Sequence, residues 1–291
     1  MEEKFLKYLQ EQRLSENSCN SYLSDLKKFK EYYFYSYDEE LGKLTHADVA
    51  MYISYLQNHN EKPDTINRKL VSLKHYNLFL REQGIQDNIV IVDRDRIRIQ
   101  KPMIKKSLPS NQEINKLKHV SSQDEKHPFR DFCFIMIYLY AGLRASEIVS
   151  LKLSDLLFEE RLINVYGKGN KFRQVIMNNI VYKAIEDYLE CERNLLETKN
   201  PYLFVSQKNV NNSKPYNRNF GNRLLDKYKE ECKIAKLHPH LLRSYFCTNA
   251  LNNAGYSIVQ VANQAGHSSL NTTKGYIVTN EEDLYSLSNK L

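Results

Sequence analysis

Through most of the chain, apolar side chains recur at steps of three and four residues; only between Arg161 and Met177 does the period fall convincingly to two. The longer period lines apolar groups along one side of an α-helix, and the shorter one gathers them on one face of a strand. Such a pattern predicts a mainly α fold with one small antiparallel β-sheet. At the front, Phe5, Tyr8 and Leu9 form a first stripe. Ser15 is placed to cap a second helix carrying Tyr22, Leu23, Leu26, Phe29 and Tyr33. Thr45 can cap a third, with Val49, Ile53 and Leu56, and Pro63-Asp64 opens a fourth, with Ile66, Leu70, Leu73 and Leu80, that stops at Gly84. Residues 1–98 are therefore expected to form a four-helix bundle. The EYYFYSY stretch, Glu31 to Tyr37, offers a stacking surface for nucleic acid or rings half-buried between helices, and the second is the commoner use of such side chains.

Residues 99–110, IQKPMIKKSLPS, break the periodicity. Pro102 and Pro109 bracket Lys105 and Lys106, and the stretch reads as a linker whose lysines are either solvated or laid along a polyanion. A second domain, 111–291, follows. Its helical pattern resumes at Asn111, with Glu113 following, and Phe129 to Ala141 reads as one apolar helix. Gly142 lets the chain turn, presenting Arg144 and Glu147 on the next helix, ASEIVSL. The alternating segments Arg161–Tyr166 and Lys171–Met177 flank G-K-G-N and predict a hairpin with Lys168 at its tip. Leu203-Phe204-Val205 is the expected third strand. From Tyr182 onward the rest is expected to be helical, apart from an Asn/Lys/Pro-rich loop from Gln207 to Asn217.

Charge separates the two parts. The chain has 42 Lys+Arg against 35 Asp+Glu, and residues 1–98 hold 15 basic and 16 acidic side chains, which leaves 27 against 19 beyond them. The excess permits a polyanion partner without requiring one, and the second part is the better candidate for phosphate contact. Five scattered cysteines without a C-x-x-C pair read as reduced thiols of a cytoplasmic protein, with neither disulfides nor structural zinc. The longest apolar run, Phe132 to Leu143, has twelve residues. A membrane span needs about twenty, so the run is expected to be a buried helix and no membrane role is indicated.

Singly, the polar candidates are unremarkable. Arg144 has a ready salt-bridge partner in Glu147 at i+3, Lys168 suits a solvated loop tip, and its glycines lack P-loop spacing. His240 and Arg243 share a helix side, His267 suits a turn, and Tyr276 is one of 21 tyrosines. Their order is another matter. Y-A-G-L-R-A-S-E-I, V-Y-G-K-G-N-K-F-R-Q-V-I, P-H-L-L-R-S-Y-F-C-T and A-G-H-S-S-L-N-T-T-K-G-Y follow one another through the second part. Together they resemble the tyrosine recombinase (phage integrase) family, and the helical front part resembles the SAM-like core-binding domain of its compact, Xer-like members. Two departures are Ser244, where a histidine commonly follows the second arginine, and Ala265, where leucine is usual. They separate the chain from the housekeeping chromosome-resolving members without touching a catalytic position.

The resemblance implies a site-specific recombinase that exchanges DNA strands through a 3′-phosphotyrosine and a Holliday junction, without metal, ATP or other cofactor. Tyr276 is then the nucleophile and His240 its general base. Lys168 protonates the leaving 5′-oxygen, Arg144 and Arg243 clamp the phosphate, His267 adds a hydrogen bond, and Glu147 orients its neighbours. DNA contacts are expected from Thr65, Arg68, Lys69, Lys74 and Arg81 on the fourth helix, from Lys105 and Lys106, and from Lys171 and Arg173. For the fourth helix a solvated basic stripe is the competing account. The implied partners are duplex DNA with an inverted-repeat core site and three further subunits, in a homotetramer or a heterotetramer with a related recombinase. Leu284 and Leu287 belong to a tail that in relatives docks on the neighbouring subunit. With no arm-site domain ahead of the bundle, a resolvase or a small mobile-element integrase is the expected task. A binding-only protein that kept the scaffold and a type IB topoisomerase-like enzyme are the alternatives.

Overall fold

Ser15, Thr45 and Ser110 each precede a run of helix-forming residues, and each hydroxyl accepts from a first-turn backbone N–H. Thr45 with Asp48 and Ser110 with Glu113 complete reciprocal capping boxes. In the computed structural model, which describes residues 1–98, 108–167, 171–267 and 269–277, these caps open three of twelve described α-helices. Two compact units divide the chain, Met1–Lys105 and Lys106–Leu291.

The first unit contains α1 (Glu2–Glu11), α2 (Glu16–Tyr37), α3 (His46–Asn58) and α4 (Pro63–Glu82). Phe5, Leu9, Leu26, Phe29, Tyr52, Leu73, Tyr76 and Phe79 meet in its core. Gly84 leaves α4 at φ +67°, a conformation in which a Cβ is strained. The chain beyond it is tied back to α4 by asparagines. Asn77 Nδ2 donates to the Asn88 carbonyl (3.0 Å) while its Oδ1 accepts from the Val90 N–H (2.7 Å), and Asn67 does the same for Ile97. The tyrosine-rich end of α2 splits by helix face. Tyr32 and Tyr33 pack on Phe29, whereas Tyr35 is 87% exposed.

In the second unit α5 (Asn111–Ser122) and α6 (Pro128–Tyr140) come first, and Cys133 through Leu139 of α6 are all buried. A helix that is apolar all round must be enclosed, and α6 is packed by α5, α8 and α10. After α7 (Ala145–Ser150) come β1 (Leu156–Leu157), β2 (Leu162–Tyr166) and β3 (Phe172–Ile176), an antiparallel sheet in the order β1-β2-β3. Tyr166 pairs with Phe172 and Ile163 with Val175, so Ile163, Val165 and Val175 face the core. Lys168, at the expected tip, lies outside the described residues. Five helices follow: α8 (Asn179–Tyr188), α9 (Phe220–Cys232), α10 (Pro239–Asn252), α11 (Ile258–Ala265) and α12 (Leu270–Lys274).

The third strand is not the expected one. It is Leu156–Leu157, paired with Leu162 and Ile163, while Leu203–Val205 is not a strand and only Tyr202, just before it, makes an isolated bridge to Lys152. The buried guanidinium of Arg193 donates to the carbonyls of Asn200 (2.6 Å), Tyr202 (3.0 Å) and Leu203 (3.1 Å), so side-chain donors satisfy much of this segment's backbone in place of a strand partner. Among the described residues, no helix is long and apolar enough to cross a membrane.

Candidate active site

The turn out of α6 places the first candidate side chain. Gly142 takes φ +65°, and a Cβ there would come within 2.3 Å of the Phe246 ring, so only glycine lets the chain pass. Arg144 stands two residues on, at the start of α7. Glu147 Oε2 accepts from the Arg144 N–H (2.8 Å), and Oε1 accepts from its guanidinium (2.8 Å). The same guanidinium donates to the Gly266 carbonyl at 2.5 Å.

α10 brings two more. Its N-cap is His238, whose Nδ1 accepts from Leu241 N–H (3.2 Å), and Pro239 follows as the first helical residue. His240 is therefore exposed in the first turn, and Arg243, one turn later, is 4% exposed and donates to the Gly142 carbonyl at 2.5 Å. Burial, and then the charge of Arg144, lower the Arg243 pKa to about 10, which leaves it a cation at neutral pH.

The C-terminal turn of α11 supplies the next. Gly266 ends the helix at φ +68°, and His267 N–H bonds back to the Ala262 carbonyl (2.9 Å). His267 Nδ1 is 2.8 Å from Thr273 Oγ1, and its ring lies parallel to that of Tyr276 with centroids 5.9 Å apart. Burial first, then Arg243 and Arg144, push its pKa down to about 4, so the ring is neutral in ordinary buffers. Tyr276 is 8% exposed and rests on a small separate core of Phe246, Cys247, Ala250, Val261 and Ala265.

Arg144, His240, Arg243, His267 and Tyr276, drawn from the starts of two helices and the turns after two others, line one concavity of about 350 Å³. The first turns of α7 and α10 both contribute, so backbone dipoles add to the two guanidinium charges. Glu147 sits behind them, 3% exposed. Burial opposes its charge, but the hydrogen bonds and charges of Arg173 and Arg144 prevail and lower its pKa. The arrangement suits a phosphate that gains charge as it reacts, because fixed guanidinium donors meet that charge without reorganising.

The chain is similar to known proteins over nearly its whole length. Residues 108–283 match the phage integrase family, and residues 3–84 match the phage integrase N-terminal SAM-like domain. A TnP I resolvase of Bacillus thuringiensis is 35% identical over 284 residues, covering 96% of this chain and 95% of the relative. The chain belongs to the phage integrase family of tyrosine recombinases. The recombinase is also 29% identical over 288 residues to a tyrosine recombinase XerC of Staphylococcus carnosus, with 98% and 94% of the two chains covered. Its fold resembles that of XerH site-specific recombinase bound to difH substrate, at TM-score 0.71 and 23% identity over 93% of this chain and 78% of that one. It likewise resembles Tn1549 transposon integrase in complex with circular intermediate DNA, at TM-score 0.71 and 21% identity, with 99% and 98% covered.

The cations expected on DNA divide into several groups. Lys105, Lys106 and Lys168, like Leu284 and Leu287, lie outside the described residues. Lys171 and Arg81 are exposed, Thr65 is half-buried, and Lys74 lies 3.7 Å from Asp93. Arg68 is 45% exposed and bonded to Asp25 and Ser21. Two placements need correcting. Lys69 is 5% exposed and paired with Glu61 at 3.0 Å, because it falls on the core stripe of α4 between Ile66 and Leu73. Arg173 is also turned inward. It donates to both oxygens of Glu147 (2.9 and 2.8 Å) and to the Gln264 carbonyl (3.1 Å), since it alternates with Phe172 and Gln174 onto the side of β3 that α11 covers. Sequence reading did not single out Thr273 and Gln264. Thr273 is the second threonine of the T-T pair in the last motif. Gln264 brackets the Ile176 backbone, its Oε1 accepting from the N–H and its Nε2 donating to the carbonyl, both at 3.3 Å. A glutamine within an otherwise apolar helix face was its one signal in the sequence.

Proposed function

We propose that the recombinase cleaves and rejoins DNA strands through a 3′-phosphotyrosine, working as a tetramer on two duplexes by way of a Holliday junction. The observation that carries the reading is the convergence of Arg144, His240, Arg243, His267 and Tyr276 on one concavity. Tyr276 Oη attacks phosphorus as the P–O5′ bond breaks. A phenol of pKa ~10 must lose its proton in that step, and His240 accepts it. Lys168, in the sequence joining β2 to β3, donates a proton to the departing 5′-oxygen. Arg144 and Arg243 bind the non-bridging oxygens, and neutral His267 adds a donor. In the second half, the 5′-hydroxyl of a partner strand attacks the phosphotyrosine and returns the proton balance to its start. One phosphodiester is exchanged for another, so neither ATP nor a metal enters the balance.

The substrate is duplex DNA carrying inverted-repeat arms, and the cellular task is resolution of joined replicons or movement of a mobile element. The resolvase name of the Bacillus thuringiensis relative favours the first, at 35% identity against 29% for the Staphylococcus carnosus XerC. A DNA duplex nicked beside the cleavage site tests the chemistry, because loss of the short product traps the covalent complex. Wild-type protein is expected to form the adduct and Tyr276→Phe to form none. Absence of adduct from wild type on sites found in the DNA flanking the gene would leave a binding role only.

A further inference from the structure

Glu147 is held by two guanidinium groups that treat it differently. Arg173 takes both of its oxygens at 2.9 and 2.8 Å, whereas the Arg144 side chain takes Oε1 alone. Arg144 keeps 40% of its side chain exposed and lines the concavity, while Arg173 keeps 14% and is not among the lining residues. A buried carboxylate left with one arginine would grip that arginine's fork through both oxygens and cancel most of its charge. Arg173 occupies the fork position instead. Its guanidinium also underlies Gly266, where a Cβ would meet it at 2.7 Å, and the Gly266 carbonyl is the second acceptor holding Arg144. One cation on β3 thus arranges both groups that fix the clamp on α7.

We propose that Arg173 is a positioning residue for strand cleavage: it takes up the charge and both oxygens of Glu147, so that the charge of Arg144 is left for the scissile phosphate. The role rests on reading the concavity as the phosphate site. It makes Arg173 a partner of the carboxylate and not of the DNA backbone. Neutralising the carboxylate by another route must then substitute for Arg173.

The test compares wild type, R173Q, E147Q, the R173Q/E147Q double variant and R173K. Each is assayed for adduct formation on the nicked duplex at saturating DNA, for DNA affinity and for thermal unfolding. R173Q is expected to slow adduct formation by about tenfold or more with DNA affinity within about twofold of wild type. Adding E147Q is expected to restore at least several-fold of that loss, because no unpaired carboxylate then draws on Arg144. R173K keeps the charge and is expected to stay within about fivefold of wild type. The proposal is overturned if R173Q cleaves like wild type, or if the double variant is as slow as R173Q, since a purely structural strap is not repaired by removing its partner. Should R173Q fail to fold, R173K decides: a loss beyond about fiftyfold with DNA affinity intact overturns the charge role. Wild-type protein that forms no Tyr276-dependent adduct removes the phosphate reading itself, and with it this role.

Discussion

At the scale of single residues, burial sets what each site group can do. His267 has its pKa lowered to about 4 in the fold, against an unfolded value near 6.5. The unfolded chain therefore binds the extra proton first, so the stability contributed by this group is full above the unfolded pKa and is lost as pH falls toward the folded one. His267→Gln is expected to lose less stability than wild type between pH 7 and pH 5, read from urea midpoints; identical losses would refute it. Ser244 Oγ is buried without a hydrogen-bond partner among the described residues. Ser244→Ala should then be neutral or stabilising by up to about 1 kcal/mol in equilibrium unfolding. Gly142→Ala must both strain a positive φ and push the Phe246 ring, with an expected cost above about 2 kcal/mol and loss of adduct formation as Arg144 and Arg243 shift.

Elements were legible where a local rule governs them. The caps Ser15, Thr45 and Ser110, the breaks at Gly84 and Gly142, and the period-two hairpin all depend on near neighbours, and the helices begin and end within a few residues of where those signals stand. Leu203–Val205 misled because a strand is decided by what its backbone pairs with, and here the Leu203 carbonyl meets the side chains of Arg193 and Tyr188 instead of a neighbouring strand. Arg193→Leu is expected to destabilise the fold by about 3 kcal/mol, since it orphans buried acceptors as well as removing the cation. A midpoint unchanged in urea would mean that water replaces the guanidinium. Lys69 misled in another way: its charge suggested a DNA contact, but its spacing from Ile66 and Leu73 already assigned it to the packed side of α4.

For the whole molecule, the unequal charge of the two parts becomes a statement about salt. Association with DNA releases counterions for each phosphate contact, so log Kd rises with log salt in proportion to the cations engaged. Arg81→Ala is expected to reduce that slope by about 1, and Lys69→Met, which removes a buried and paired charge, to leave it unchanged. Equal slopes for Arg81→Ala and wild type would place α4 off the phosphate backbone. By itself, the sequence determined the helical class and the position of the hairpin, because periodicity and caps are local properties of a chain, and its ordered motifs from Arg144 to Tyr276 carried the family resemblance. Only the tertiary structure decided that Arg173 pairs with the buried Glu147, that Thr273 meets His267 and Gln264 the Ile176 backbone, and which segment completes the sheet. Those outcomes depend on which buried donors and acceptors meet across long stretches of chain, and no local pattern encodes that pairing.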